Sequence, residues 1–254
     1  MAGSLRNRHA LITGGSRGIG LAIAETLSGA GARVTVVGRH AGALGDAVVA
    51  GKAHGYLVAD VTDTAAIKRA ADIAAEDRGP IDLLIANAGA AQSAPFAKSD
   101  AQLFRRMLDV NFFGVVHAAQ SVLGPMVERG FGRIVAIAST AGLKGYPYVS
   151  AYCAAKHAVV GLVRALALET AATGVTVNAV CPGFTDTDLV AESLERIVEK
   201  TGRSRDEALA ELVRHNPQRR LVAPREVADA VLWLCGEGAR SVTGQAIAVA
   251  GGEV

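Results

Sequence analysis

The segment Thr13–Gly20 reads TGGSRGIG and joins a short apolar run, His9–Thr13, to a helical stretch, Gly18–Ala30. Its glycines at positions 14, 18 and 20 form the pattern GxxxGxG. The first glycine permits a tight turn, and the later two let the backbone and the helix approach a pyrophosphate, which the N–H groups and dipole of a helix N-terminus attract. Because strand, glycines and helix occur in this order, the segment predicts a dinucleotide-binding fold.

Strand-length apolar runs alternate with helical stretches along the chain. The predicted strands are His9–Thr13, Arg33–Val37, Gly55–Ala59, Asp82–Asn87, Gly132–Ala138, Val175–Val180 and Ala246–Val249. The clearest helices are Gly18–Ala30, Thr64–Arg78, Asp100–Arg129, Ala151–Thr173 and Pro224–Cys235. Most runs are continuously apolar, as in strands that are buried on both faces. We expect an α/β fold in which residues 1–254 form a single domain: a doubly wound, Rossmann-type parallel sheet of seven strands with helices on both faces.

The composition argues against several other classes of protein. The 254 residues carry a net charge of +2, which is too weak and too dispersed to indicate a nucleic-acid partner. No apolar run approaches the ~18 residues that span a bilayer, and the first strand begins too early for a secretory signal, so we expect a cytoplasmic protein without a membrane partner. Cys153, Cys181 and Cys235 have no CxxC spacing and are expected to be buried and unpaired. No clustered His, Cys or acidic set predicts a metal.

The end of the second predicted strand bears on the choice of cofactor. Folds that prefer NAD usually place an acid about 20 residues past the glycines, where it binds the ribose 2′-hydroxyl. Here that place holds Gly38 and then Arg39. Two guanidiniums, Arg17 and Arg39, are available to clamp a 2′-phosphate. We therefore expect NADP(H) to be preferred, with NAD(H) possible; the alternative is that Arg39 is an ordinary surface residue.

Tyr152 and Lys156 form the pattern YxxxK in a predicted helix, and four-residue spacing places them on one face. A nearby ammonium favours the phenolate and lowers the pKa of tyrosine from about 10, so the pair is suited to moving a proton to or from an oxygen. Ser139 ends a predicted strand on the edge that carries the glycine turn. Alone, YxxxK is common by chance and Ser139 reads as a turn residue; together with the glycine turn they indicate an oxidoreductase.

Residues 188–220 break the strand–helix rhythm. They form two amphipathic pieces around Thr201–Ser204 and must lie outside the sheet. They are interpreted either as a surface helical pair or as a mobile lid over a substrate cleft. Arginines in the segment either meet the phosphates of a phosphopantetheine or coenzyme A arm or lie on solvated helix faces; they are Arg196, Arg203, Arg205, Arg214, Arg219 and Arg220.

With these motifs in family order, the chain resembles the short-chain dehydrogenase/reductase family over essentially its whole length. Pro182–Thr187 looks like the family's PG motif and Asn87–Gly89 like its NAG motif. The resemblance implies catalytic roles for Asn111, Ser139, Tyr152 and Lys156. In these roles Tyr152 is the acid–base, Lys156 lowers its pKa and binds the nicotinamide ribose, Ser139 holds the substrate oxygen, and Asn111 holds a relay water.

The resemblance also implies a wider set of cofactor contacts and an assembly. The implied contacts are Gly14, Ser16, Arg17, Gly18, Ile19, Gly20, Arg39, Asp60, Val61, Asn87, Ala88, Gly89, Tyr152, Lys156, Pro182, Gly183, Thr185 and Thr187. Family members are usually tetramers that pair their two long helices, here Asp100–Arg129 and Ala151–Thr173. We therefore expect a homotetramer, although burial within one chain explains the same apolar faces.

The substrate is the least determined feature. The stretch Val177–Phe184 and the helical segment after it are similar to 3-oxoacyl thioester reductases, which act on acyl carrier protein or coenzyme A, and to polyketide ketoreductases. Candidate pocket walls are Ala90, Ala141, Leu143, Tyr146 and Phe184. Three hypotheses remain: a 3-oxoacyl thioester reductase, an alcohol dehydrogenase or ketone reductase for a sugar, steroid or cyclic ketone, and a non-catalytic dinucleotide-sensing module.

Overall fold

The structure, a computed structural model, describes residues 5–254 except for the side chains of four residues of one helix, Leu189, Arg196, Ile197 and Lys200. The described chain forms a parallel sheet in the order β3-β2-β1-β4-β5-β6-β7. Its strands are β1 (His9–Thr13), β2 (Arg33–Gly38), β3 (Gly55–Val58), β4 (Leu83–Ala86), β5 (Gly132–Ile137), β6 (Val175–Pro182) and β7 (Ala246–Val249). The predicted seven-stranded doubly wound sheet is confirmed. Strand order reverses between β1 and β4, where such sheets open a crevice at their carboxyl ends.

The helices largely follow the predicted pattern, with one omission and one interruption. They are α1 (Gly18–Gly29), α2 (Ala41–Val49), α3 (Thr64–Arg78), α4 (Ala101–Leu108), α5 (Gly114–Glu128), α6 (Ser150–Thr170), α7 (Asp188–Thr201), α8 (Arg205–Val213) and α9 (Pro224–Cys235). Helix α2, with the sequence AGALGDAVV, was not predicted; its two glycines weaken the helical signal. The predicted helix Asp100–Arg129 is interrupted by a π-helical turn at Asp109–Phe113.

Two apolar clusters cover the two faces of the sheet. One includes Leu84 of β4 and Ile134 of β5 with residues of α3, α5 and α6. The other includes Ile12 of β1 with residues of α1, α2 and α9. Because the strands in the centre of the sheet are covered on both sides, most of their residues are apolar and the sequence does not alternate between apolar and polar.

Residues 188–220 lie outside the sheet, as predicted. Helices α7 and α8 meet at Gly202, which adopts a left-handed conformation with φ +67°. Helix α8 begins with a capping box between Ser204 and Glu207. The two helices share a small apolar cluster of Val190, Leu194 and Ala208, against which Phe184 packs.

Two helical stretches reach the length and hydropathy of a membrane span. Ala101–Glu128 and Ser150–Thr170 contain 18-residue windows of mean hydropathy 1.2 and 1.3. The sequence expectation that no segment approaches such a span was therefore too strict. Both stretches contribute residues to the core cluster on one face of the sheet, and core helices commonly pass this test, so it is weak evidence for a membrane.

Candidate active site

The turn after β1 is built around glycines that tolerate no side chain. A Cβ added to Gly14, whose φ is +67°, would lie 2.9 Å from the Cα of Ala88. One added to Gly20 would lie 2.2 Å from the Gly14 carbonyl oxygen. Gly18 has φ +52°, and its Cβ would lie 3.2 Å from Cγ2 of Thr187. The turn therefore brings β1, the segment after β4 and the start of α7 into close approach.

The same turn is suited to an anionic dinucleotide. Helix α1 begins at Gly18 without a side-chain cap, so its first N–H groups are not occupied by a capping side chain. Arg17 and Arg39 expose 68% and 67% of their side chains. Arg17 approaches Asp188 at 3.9 Å, and Arg39 approaches Asp60 at 3.9 Å, both distances being long for ion pairs. These residues fit a nicotinamide dinucleotide, since the glycines permit close approach and the free N–H groups of the helix can bind its pyrophosphate.

The segment after β4 is fastened to the end of β1. The Asn87 side chain donates hydrogen bonds to the carbonyl oxygens of Thr13 and Gly14, both at 3.0 Å. The Thr13 hydroxyl accepts from the N–H groups of Asn87 and Ala88, at 3.0 and 3.1 Å. Through these four hydrogen bonds, Asn87 and Ala88 hold the end of β1 and the glycine turn in place.

The remaining predicted cofactor contacts border the same edge. The Asp60 carboxylate accepts from the N–H and hydroxyl of Thr62, which together with the more distant Arg39 lower its pKa. The Val61 side chain is buried and its carbonyl accepts from His117 at 2.8 Å. Beyond β6, the Gly183 N–H donates to the Val249 carbonyl, and the Thr185 hydroxyl donates to Gly183.

Tyr152, Ser139 and Lys156 meet at the carboxyl ends of β5 and β6. Tyr152 and Lys156 lie one helical turn apart on α6, with the Lys156 Nζ 5.7 Å from the centre of the Tyr152 ring. The Ser139 side chain is hydrogen-bonded to the Tyr152 phenol, and its Oγ also accepts from the Ala141 N–H at 3.1 Å. The proximity predicted from the spacing YxxxK and the strand-end serine is therefore present.

The pKa of Tyr152 differs from the sequence expectation. Burial raises it to about 12, and the hydrogen bond from Ser139 opposes this rise only in part. Burial also lowers the pKa of Lys156 to about 8, while its Nζ donates to the Ile137 carbonyl at 2.8 Å. Desolvation disfavours the charged form of each group, and it is the largest cause of both shifts. The expected lowering of the Tyr152 pKa by Lys156 is therefore wrong for the protein alone.

Asn111 lies in the π-helical turn and is fully buried. Its amide nitrogen donates to the carbonyls of Ala90 and Met107, at 2.9 and 3.0 Å, and its oxygen accepts from the Ala90 N–H at 3.2 Å. A Cβ added to Gly89 would lie 2.8 Å from the Asn111 oxygen and 3.6 Å from the Lys156 Nζ. Asn111 and Lys156 thus approach the same small space beside Gly89.

The predicted pocket walls separate into two groups. Tyr146 and Phe184 contact each other edge to face, with ring centres 6.1 Å apart. Ala141 is 3% exposed and Leu143 packs against the main core, so these two face inward. Sequence reasoning missed Lys144 and Glu253, which contact each other next to Tyr146. No local signal identifies Glu253, because its partners are more than 100 positions away.

Of the cysteines, Cys181 lies beside this site, with a hydrogen bond to the backbone of Ser139. All three cysteines are unpaired and buried, as expected, and burial raises the pKa of the Cys235 thiol to about 12. Over the described part of the chain there is no group of three or more His, Cys, Asp or Glu side chains placed to hold a metal ion.

The fold and these clustered side chains define an α/β protein built to bind a dinucleotide. A family model described as short chain dehydrogenase matches residues 8–197. A protein from Streptomyces coelicolor named as a ketoacyl reductase is 40% identical over 249 residues, covering 96% of this chain and 95% of the relative. D-beta-hydroxybutyrate dehydrogenase from Rhizobium meliloti is 35% identical over 252 residues, covering 96% and 98%.

Two solved structures share the fold over nearly the whole chain. A variant of actinorhodin polyketide ketoreductase, solved with NADPH, has a TM-score of 0.93 at 38% identity and covers 100% of this chain and 99% of its own. Levodione reductase has a TM-score of 0.92 at 32% identity, covering 98% of both chains.

The chain therefore belongs to the short-chain dehydrogenase/reductase family. It is an oxidoreductase that depends on a nicotinamide dinucleotide, and its relatives support the activity of a carbonyl reductase. The hypothesis of a non-catalytic sensing module is not supported, since the relatives are named as reductases and dehydrogenases.

Proposed function

We propose that this enzyme uses NADPH to reduce the keto group of a 3-oxoacyl thioester to a secondary alcohol, in a cytoplasmic homotetramer. One observation carries the proposal: the Tyr152 phenol, the Ser139 hydroxyl and the Lys156 amine converge at the sheet edge beside the Gly14–Gly20 turn. The ketoacyl reductase relative and the ketoreductase solved with NADPH support this reaction and this substrate class.

The proposed proton donor is Tyr152. When bound, the nicotinamide supplies a hydride to the carbonyl carbon. The Tyr152 phenol, with a pKa raised to about 12, is protonated at neutral pH and delivers its proton to the developing alkoxide. The Ser139 hydroxyl holds the same oxygen and stabilises its charge. Lys156 binds the ribose, and with Asn111 it returns a proton from solvent to Tyr152.

The proposed preference for NADPH rests on the two exposed guanidiniums. Arg39 follows the end of β2, where an acid would bind the ribose 2′-hydroxyl of NADH, and Arg17 lies in the glycine turn. Gly38 ends β2 there, and the nearest carboxylate to Arg39, that of Asp60, is 3.9 Å from its guanidinium. A bound 2′-phosphate would offer Arg39 a stronger partner than Asp60 does, because charge-assisted hydrogen bonds from a guanidinium to phosphate are strong and can be bidentate. The remaining predicted cofactor contacts belong to the same proposal.

The substrate is proposed to enter beneath residues 188–220, which act as a lid within one catalytic domain, 1–254. Helices α7 and α8 hold together through their own apolar cluster, so they can move as a unit. Arg203 and Arg205 are exposed near the start of α8, and we propose that they meet a coenzyme A or carrier-protein phosphate. Arg214 and Arg220 instead pair with Glu211 and Glu226. The side chain of Arg196 lies outside the described residues.

Steady-state kinetics with NADPH tests the proposal. The substrates are acetoacetyl-CoA, its acyl-carrier-protein form and free ketones such as ethyl acetoacetate and cyclohexanone. We expect the highest kcat/KM with one of the thioesters. A higher value with a free ketone would refute the thioester assignment, and tight NADPH binding without turnover on any substrate would refute the reductase itself.

A second candidate is an alcohol dehydrogenase or ketone reductase for a different small substrate, such as a sugar, steroid or cyclic ketone. Levodione reductase and D-beta-hydroxybutyrate dehydrogenase, which match nearly the whole chain, support it by their names. The kinetic panel above separates the two candidates, because this one predicts that a free ketone or alcohol outperforms both thioesters.

A further inference from the structure

The carboxylate of Glu253, next to the end of the chain, is buried beside the proposed substrate loop. Its side chain is 1% exposed. One oxygen accepts a hydrogen bond from the Tyr146 hydroxyl at 2.6 Å and lies 3.1 Å from the Lys144 ammonium. Lys144 also donates to the Glu253 backbone carbonyl at 3.2 Å. A buried carboxylate needs such partners, because a charge left without them is costly.

Both side-chain partners lie on the loop that follows Ser139. The Tyr146 hydroxyl is also 2.7 Å from the Thr140 hydroxyl. A phenol has one proton, which Tyr146 gives to the carboxylate, so it accepts the proton of Thr140. The resulting chain of hydrogen bonds runs from Thr140 through Tyr146 to Glu253. Thr140 is 3% exposed and directly follows Ser139.

The turn that carries Glu253 is held in place from two other sides. Gly251 and Gly252 have φ values of +62° and +92°, which glycine adopts without strain. A Cβ on Gly251 would lie 2.2 Å from the side-chain oxygen of Asn216, beyond the end of α8. A Cβ on Gly183 would lie 3.3 Å from the second Glu253 oxygen. The C-terminal turn is thus packed between the substrate loop and the end of the lid segment.

We propose that Glu253 is a positioning residue for the reaction: it fixes the Tyr146 side chain and, through Thr140, the loop that presents the Ser139 hydroxyl to the substrate. The same contact fixes Tyr146 against Phe184, so Glu253 also shapes one wall of the pocket. This inference rests on the proposed function, because a fixed Ser139 matters only if it holds a reacting carbonyl.

The test compares Glu253→Gln, Tyr146→Phe and the double variant with matched controls Glu76→Gln and Tyr56→Phe. Glu76 is exposed on α3 and Tyr56 is 42% exposed on β3. With ethyl acetoacetate and NADPH, we expect each single variant to lower kcat by about tenfold, because small displacements of positioning groups slow the chemical step. We expect KM for NADPH to stay within about twofold and the enantiomeric ratio of the alcohol product to fall.

Two readouts separate positioning from general stability. If Glu253 acts through Tyr146, kcat of the double variant should be no lower than that of the slower single variant. A kcat lowered by the product of the two single-variant effects would overturn the proposal. Hydrogen exchange should also accelerate at the backbone amides of residues 141–144 in Glu253→Gln and not in Glu76→Gln. Unchanged exchange overturns the proposal whether or not the enzyme turns over ketones, whereas an inactive wild type with the expected exchange refutes only the proposed function.

Discussion

Single residues of the site show how burial sets their chemistry. Tyr152 and Lys156 sit close together, yet desolvation raises the pKa of one to about 12 and lowers that of the other to about 8. Each shift favours the neutral form, as expected where water is excluded. Near neutral pH the phenol therefore keeps its proton, which suits a donor to a carbonyl oxygen.

Removal of the Tyr152 hydroxyl tests its role as proton donor. For Tyr152→Phe we expect kcat for ketone reduction to fall by about 10²- to 10⁴-fold, because general acid catalysis contributes on that order. The Kd of NADPH, measured by fluorescence titration, should remain near that of the wild type. Tyr56→Phe serves as the control. A Tyr152→Phe variant with more than a tenth of wild-type kcat would contradict the role.

Lys156 is expected to make stability depend on pH. Its pKa is lowered from 10.5 to about 8 on folding, so between these values the unfolded chain binds more protons and stability rises with pH. Below about pH 8 the amine is charged in both the folded and the unfolded chain, so the folded chain bears the full free-energy cost of burying the charge. Relative to Lys156→Met, the wild type should gain up to about 3 kcal/mol as pH rises from 7 to 10.5.

Urea unfolding at pH 7 and pH 10 measures this difference. Lys98→Met, which changes an exposed lysine, should follow the wild type at both values. A Lys156→Met variant whose stability relative to the wild type is the same at both pH values would show that burial does not shift the amine.

Arg39 is expected to decide between the two nicotinamide cofactors. Arg39→Asp places a carboxylate where a 2′-hydroxyl binds in NAD-dependent folds, beside the carboxylate of Asp60. We expect kcat/KM with NADPH to fall by about 10- to 100-fold, as for the loss of a charge-assisted contact, and the value with NADH to rise. Equal efficiency with the two cofactors in the wild type would remove the basis for the assignment; Arg69→Asp on α3 is the control.

Whole elements contribute geometry that no single residue shows. The π-helical turn at Asp109–Phe113 joins α4 to α5, and its extra residue directs the Asn111 side chain to the backbone of Ala90. The sequence pattern predicts an uninterrupted helix here, so it gave no basis for expecting the contact between Asn111 and Ala90. Elsewhere, α7 and α8 pack mainly on each other. Their apolar cluster is separate from the two clusters that cover the sheet.

The lid segment is expected to distinguish carried substrates from free ones. Arg203→Glu/Arg205→Glu reverses two exposed charges near the start of α8. We expect KM for acetoacetyl-CoA to rise by about tenfold while KM for ethyl acetoacetate stays unchanged, because only the former carries phosphates. The control Arg69→Glu/Arg240→Glu reverses two exposed charges elsewhere. If both substrates respond alike, the arginines do not meet phosphate.

The surface of the whole molecule leaves apolar side chains exposed on the two long helices. Leu168 of α6 is 82% exposed, Val127 of α5 is 38% exposed, and Phe113 at the start of α5 is 43% exposed. Such a surface is consistent with the proposed homotetramer, since a second copy of the same helices would cover it.

Light scattering tests the proposed assembly. The wild type should have a mass of about 104 kDa, four times the 26.0 kDa of one chain. Leu168→Lys should reduce this to roughly half or a quarter, because a buried lysine without a partner is costly. Val49→Lys, at a position 90% exposed on α2, should leave the mass unchanged. A wild-type mass of one chain would refute the tetramer.

The order of strands and helices was predictable because it depends on local signals. Continuous apolar runs identified the strands to within a residue or two, and β1, β7, α3 and α9 have the predicted bounds. The glycines of Thr13–Gly20 and the YxxxK spacing are likewise local, so their roles in a turn and on one helix face followed directly. Helix α2 was missed because its glycine-containing sequence has little helical preference.

The sequence by itself determined the α/β class, the glycine turn and the set of polar side chains at one sheet edge, since these follow from short-range patterns of hydrophobicity and conformation. Only the tertiary structure decided the raised pKa of Tyr152, the contacts of Asn111 and the burial of Glu253 against Lys144 and Tyr146. Desolvation and long-range hydrogen bonds depend on which segments, distant in sequence, pack against each other and exclude water. A local sequence pattern does not contain that information.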